Sequence, residues 1–154
     1  MDDVKVTADS VASVEDPGGE ADGVLQLKDG TRCTLGRKDP RFAIWLRILK
    51  GAQTSGVPVY LECAPGGAAK TIMPFAARRI DKVEAAAGEK ATVMIFMAPS
   101  PHHLRTGHAD YAAMRALLEE SAKSKQPVLL AIEPKTLEVL AARKPAEGAK
   151  VTPI

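Results

Sequence analysis

The chain has 154 residues, 45% of them hydrophobic and 26% charged, which suits one compact globular domain with a real core. Only 4% are aromatic, so aliphatic side chains and alanine must build that core; no apolar run approaches the ~20 residues a membrane helix needs. The net charge of +2 hides an asymmetry, because residues 1–22 hold seven acids and one base while the rest holds 20 bases and 12 acids.

Residues 1–22 combine these acids with Ser10, Ser13, Pro17, Gly18 and Gly19 and few large apolar groups. That composition predicts a disordered acidic tail, with Val4 and Val6 the only hint of an added strand. The start of the chain lacks a basic stretch followed by an apolar run, so no export signal is expected. Its two cysteines, Cys33 and Cys63, are then expected to stay reduced, and the protein to be cytoplasmic.

Residues 23–145 read as one globular domain. VLQLKDGTRCTLG alternates apolar and polar around Asp29-Gly30, where glycine supplies the positive φ of a tight hairpin turn. Asp39-Pro40 then predicts a helix start, with Asp39 as N-cap. Phe42, Trp45, Leu46, Leu49 and Ala52 recur at helical spacing and form one inward face. Ile44 and Ile48 widen that stripe, which predicts that something covers the outer side of the helix. Gly56 ends the helix, Val57 to Cys63 reads as a strand, and a last strand is expected over about 71–83, with Pro74 at an edge or bulge.

The same plan then recurs. Thr92 to Met97 reads as a strand, 109–123 as a helix, and Val128 to Glu133 and Leu137 to Ala142 as strands. A constant offset of 69 pairs Leu35 with Leu104, Phe42 with Tyr111, Leu49 with Leu118, Pro58 with Pro127 and Leu61 with Leu130. Beyond Pro65 the offset becomes 65, which sets KTIMPFAARR (70–79) against KTLEVLAARK (135–144). The sequence thus predicts an α+β fold built by internal duplication of a β-β-α-β-β unit, with repeats at 23–83 and 91–144 and a loose tail at 146–154. Two such halves are expected to share a core with pseudo-twofold symmetry, as a partly or fully closed β-barrel that pairs its strand edges. The element order is similar to that of double-psi and related cradle-loop barrels, in topology alone.

No grouping carries a catalytic signature. Pro65-Gly66-Gly67-Ala68-Ala69-Lys70-Thr71 has alanine where a phosphate loop has its outer glycines, and a strand follows where a helix is required. His102, His103 and His108 lack metal-ligand spacing, and adjacent His102 and His103 point to opposite faces of a strand. His108 corresponds to the helix-capping Asp39. Ser100, a histidine and Asp110 have the residue types of a triad but no nucleophile elbow. Arg37, Lys38 and Arg41 crowd the first helix N-terminus and form an anion-accepting corner that the second copy lacks. The Arg37/Arg41 spacing resembles the RxxxR of cyclic-dinucleotide PilZ domains, whose Asp/Asn-x-Ser-x-x-Gly element is missing here.

The expected function is therefore a non-enzymatic cytoplasmic protein-interaction or adaptor domain, self-associating as a homodimer through Ile44 and Ile48. The alternative is nucleic-acid or phosphate-ligand binding at Arg37, Lys38 and Arg41. No catalytic residue, metal or cofactor is expected.

Overall fold

The structure is a computed structural model and describes residues 4–145. It divides into two compact units, one ending at Phe75 and one beginning at Ala76. It is α+β, with two helices and twelve short strands in four three-stranded antiparallel sheets among the described residues.

The first unit opens with β1 (Lys5–Asp9) and β2 (Val11–Glu15). These lie where a disordered tail was expected. The strands are short and polar, so composition conceals them; tertiary pairing makes them. β2 pairs with β3 (Gly23–Leu27), and β3 pairs with β4 (Arg32–Leu35) through the Asp29-Gly30 turn. In that turn Gly30 takes φ 94° and donates to the Leu27 carbonyl, while Asp29 accepts the Thr31 N–H and the Thr7 hydroxyl. These bonds hold the Asp29 carboxyl below its ordinary range, the Thr31 N–H contributing most.

Helix α1 (Phe42–Ser55) follows and buries Phe42, Trp45, Leu49 and Ala52 at 3–4 spacing. It starts two residues later than expected, with Arg41 at the N-cap position. Asp39 instead closes the turn before it, accepting the Arg41 N–H at 2.8 Å. Gly56 ends the helix in the left-handed conformation. β5 (Val59–Cys63) then lies between β1 and β6 (Ala69–Pro74), so Pro74 stands at the end of an edge strand, where its missing N–H is tolerated.

The second unit starts where one long strand was expected. The chain breaks there into β7 (Ala76–Arg78) and β8 (Ile80–Val83). β8, β9 (Lys90–Ile95) and β10 (His102–Arg105) form one sheet. β9 alternates buried and less buried positions, so only one face is covered. Helix α2 (Tyr111–Ser124) buries Met114, Leu118 and Ser121. β11 (Val128–Ile132) lies between β7 and β12 (Val139–Arg143). Lys135 and Thr136 lie in the turn before β12, where they are exposed.

No sheet closes into a barrel among the described residues. Within each unit the two sheets are joined by a single parallel bridge, Thr34 to Ala68 in the first and His103 to Glu138 in the second. One bridge leaves most of the adjoining strand edges outside a continuous ladder. The unit boundary at Phe75 also differs from the expected repeats at 23–83 and 91–144. The tail expected at 146–154 lies outside the described residues. No helix of the described chain is long and apolar enough to cross a membrane.

Each unit has its own core. Leu25, Leu27, Leu35, Leu49, Val59 and Leu61 are fully enclosed in the first; Val93, Leu104, Leu118, Val128, Leu130 and Val139 in the second. Cys33 on β4 and Cys63 on β5 are joined as a disulfide, with Cα atoms 6.3 Å apart and a sequence separation of 30. The expectation of two reduced thiols is thus corrected: both cysteines are buried and point into the same core. The bond ties one sheet of the first unit to the other.

Closing a loop of this length removes entropy from the unfolded chain worth roughly 3–4 kcal/mol. Reduction should therefore lower the unfolding free energy of the first unit by about 3 kcal/mol. Urea unfolding with and without reductant, followed by fluorescence of Trp45, the only tryptophan, measures this.

Candidate functional site

The basic corner assembles next to α1, but its guanidinium groups are engaged within the unit. Arg37 pairs with Asp16, donates from Nε to the Ala21 carbonyl at 2.9 Å, and donates its backbone N–H to Asp22 at 3.0 Å. Its guanidinium also lies 4.3 Å from the centroid of the Phe42 ring. Arg41 binds both carboxylate oxygens of Asp39, at 3.1 and 3.0 Å, and the Lys70 carbonyl at 3.0 Å, above the Trp45 ring. The Arg37 hydrogen bond holds the Asp16 carboxyl below its usual range, and the Arg41 side chain does the same to Asp39. Lys38 is exposed. An incoming phosphate would compete with two carboxylates already seated on the arginines. The acidic N-terminal segment thus supplies part of the counter-charge for the basic body.

The outer face of α1 is open. Ile44 is 58% exposed, and Ile48 is half-buried against the core. Beside them runs a shallow groove of about 890 Å³, lined by Arg37, Ala43, Leu46, Arg47, Lys50 and Gly51 among others. A smaller hollow of about 290 Å³ lies on the other side of Arg47 and Gly51, walled by Ile48, Pro58 and Phe75. Gly51 has open space where a side chain would begin, so it forms a notch between the two. The larger groove has three cations and no carboxylate in its lining. Sequence reasoning singled out Ile44 and Ile48 but missed Leu46, Arg47, Lys50 and Gly51 as parts of one surface. The signal was present in the helical spacing of Arg47, Gly51 and Ser55, which places all three on one ridge.

The histidines do not converge. His102 is buried in β10, and its neighbour His103 is half-buried, as strand alternation requires. His108 precedes α2, bonding the Leu140 carbonyl through Nε2 at 2.8 Å and accepting the Asp110 backbone N–H on Nδ1 at 3.0 Å. These bonds give His108 the turn-closing role that Asp39 has before α1, and it meets Asp110 through the backbone rather than the carboxylate. No group of three or more His, Cys, Asp or Glu side chains is placed to hold a metal among the described residues. The Gly66-Gly67 segment is a hairpin loop: the Gly67 carbonyl accepts the Thr34 N–H at 2.8 Å, and the Gly67 N–H donates to Ala64.

Comparison with family models, curated proteins and solved structures returned no match.

His102 is the buried histidine among the described residues. Its Nδ1 is buried without a hydrogen-bond partner. Burial, reinforced by the nearby Arg78 cation, lowers its pKa from the ordinary 6.5. The unfolded chain therefore binds a proton on this residue at a higher pH than the folded chain does. Its contribution to stability is complete above pH 6.5 and declines as pH falls toward the lowered folded value. His102→Leu should flatten the decline in urea-unfolding stability between pH 8 and pH 5; an unchanged slope would assign the decline to other groups.

Proposed function

We propose that the protein is a non-enzymatic interaction domain, made of two units related by internal duplication, that self-associates through the outer face of α1. The observation that carries the interaction reading is the exposed Ile44 on α1. Ile44 stands 58% exposed beside a groove with Leu46 in its lining. Exposed apolar surface next to a groove commonly marks a contact with another protein. The histidines considered for chemistry have structural surroundings, and the corner arginines already have carboxylate partners. That engagement places the phosphate-binding reading second.

Support for duplication comes from the numbering of the elements. α1 and α2 begin and end 69 residues apart, as do β5 and β11. β2 pairs with β3 through an irregularity between Val11 and Ser13, and β8 pairs with β9 through one between Ile80 and Lys82. β5 and β11 carry theirs between Glu62 and Cys63 and between Ala131 and Ile132. Gly56 and Lys125 both end their helices in the left-handed conformation. On this reading each repeat begins with β1 or β7, not at Val24. Its last strands are related by an offset of 70, since Met73 pairs with Tyr60 as Arg143 pairs with Leu129. The Lys70-Thr71 and Lys135-Thr136 match is then coincidental in position.

The same correspondence separates scaffold from individuality. Ile44 and Leu46 of α1 stand where α2 has Ala113 and Arg115. Arg115 binds Glu119 at 2.8 Å, so α2 covers with an ion pair what α1 leaves apolar. If α1 is the contact face, giving it the α2 residues should weaken contact, and because Leu46 also packs against the core a circular dichroism melt checks that the variant stays folded. Ile44→Ala with Leu46→Arg is expected to weaken self-association at least tenfold in light scattering over a concentration series. A wild-type mass of one chain at every concentration would sink the reading.

A further inference from the structure

We propose that the partner surface for α1 is helix α2 of a second copy, so that self-association joins unlike helices. This rests on the reading that α1 is the contact face, and names what it meets. The α1 groove is lined by Arg37, Arg47 and Lys50 and by no carboxylate. Of these, Arg37 is already paired with Asp16. Packing α1 against its own copy would bring two sets of Arg47 and Lys50 together. Like charges facing each other across a contact are costly and select against that partner. The occupant should instead bring carboxylates, and a surface without large side chains to receive Ile44.

α2 has both properties. Its exposed positions include Ala112, Ala113 and Ala116, short side chains that allow a second helix to come close. It places Glu119 and Glu120 where the correspondence at 69 puts Lys50 and Gly51 of α1. Glu119 is shared with Arg115 in its own helix, which leaves Glu120 as the exposed carboxylate outside that ion pair. The two helices have the same length, 14 residues. Ile44 and two cations on one thus face three exposed alanines and Glu120 on the other, ahead of Lys123, the exposed cation in its last turn. The Gly51 notch leaves room for the approach, since nothing lies within 4 Å of a Cβ built there.

The test is a charge exchange between two variants of the full chain. Arg47→Glu/Lys50→Glu reverses α1, and Glu120→Lys reverses α2. All three positions are exposed, so circular dichroism melts should match the wild type. By sedimentation velocity at low ionic strength, each variant alone should associate roughly tenfold more weakly than the wild type. An equimolar mixture should recover most of the lost association, because the acidic α1 of one then meets the basic α2 of the other. A wild-type chain that stays monomeric overturns both this proposal and the reading beneath it. Association weakened by Ile44→Ala/Leu46→Arg but unaffected by the charge reversals, or not recovered in the mixture, overturns only the assignment of α2 and leaves α1 as the contact face.

Discussion

In each unit the backbone runs straight from a strand of one sheet into a strand of the other, with a single residue between. Ser10 makes the passage from β1 to β2, and Arg79 from β7 to β8. This passage fixes two three-stranded sheets to one core. Ser10 secures the first passage, accepting the Lys28 N–H on its carbonyl and donating its hydroxyl to the Gly56 carbonyl. Residues 4–15 are therefore part of the scaffold. The helix then lies over the combined core, so its inner face is strictly specified and its outer face is left to vary.

That division explains why the two helices keep the same inner pattern and differ outside. α1 buries Phe42, Trp45, Leu49 and Ala52, and α2 buries Met114, Leu118 and Ser121 with Tyr111 packed against its core. The outer positions are free of packing constraints within the unit. α2 has alanine and an Arg115–Glu119 ion pair there, while α1 has Ile44 and a notch at Gly51, with Leu46 partly buried against the core. The inner core varies too where chemistry allows. Cys33 is joined to Cys63 in the first unit, and the second unit holds the buried His102. One unit is closed by a covalent bond, and the other carries a histidine whose pKa is lowered by burial.

Much of this was legible in the residues. The helices were readable because Phe42, Trp45 and Leu49 repeat at 3–4 spacing, and the Asp29-Gly30 hairpin because only glycine suits its turn. The opposite facing of His102 and His103 followed from strand alternation. β1 and β2 were not readable, because KVTAD and VASVE carry acids and few large apolar groups, and β1 is an edge strand whose pairing with β5 spans more than fifty residues of chain. The break at Phe75 was hidden by a run that reads as one strand with a proline in it. The disulfide depended on which strands become neighbours, a matter of topology that cysteine spacing does not encode. A closed barrel is not found among the described residues for a related reason: strand count and order do not specify how far two sheets pair, and here one bridge per unit pairs them. The basic corner was visible as a charge cluster, but Asp16 and Asp22 reach it only through the fold.

The central claim is that the outer face of α1 is covered by another copy of the chain. Methyl resonances in a concentration series read this directly, because Ile44 is exposed on that face and Leu46 lines its groove while exposed Met97 and Val6 lie elsewhere. The account predicts that the Ile44 and Leu46 methyl signals shift or broaden as concentration rises, with Met97 and Val6 unchanged. Signals of Ile44 and Leu46 that stay fixed across the series, or changes confined to Met97 and Val6, would contradict it.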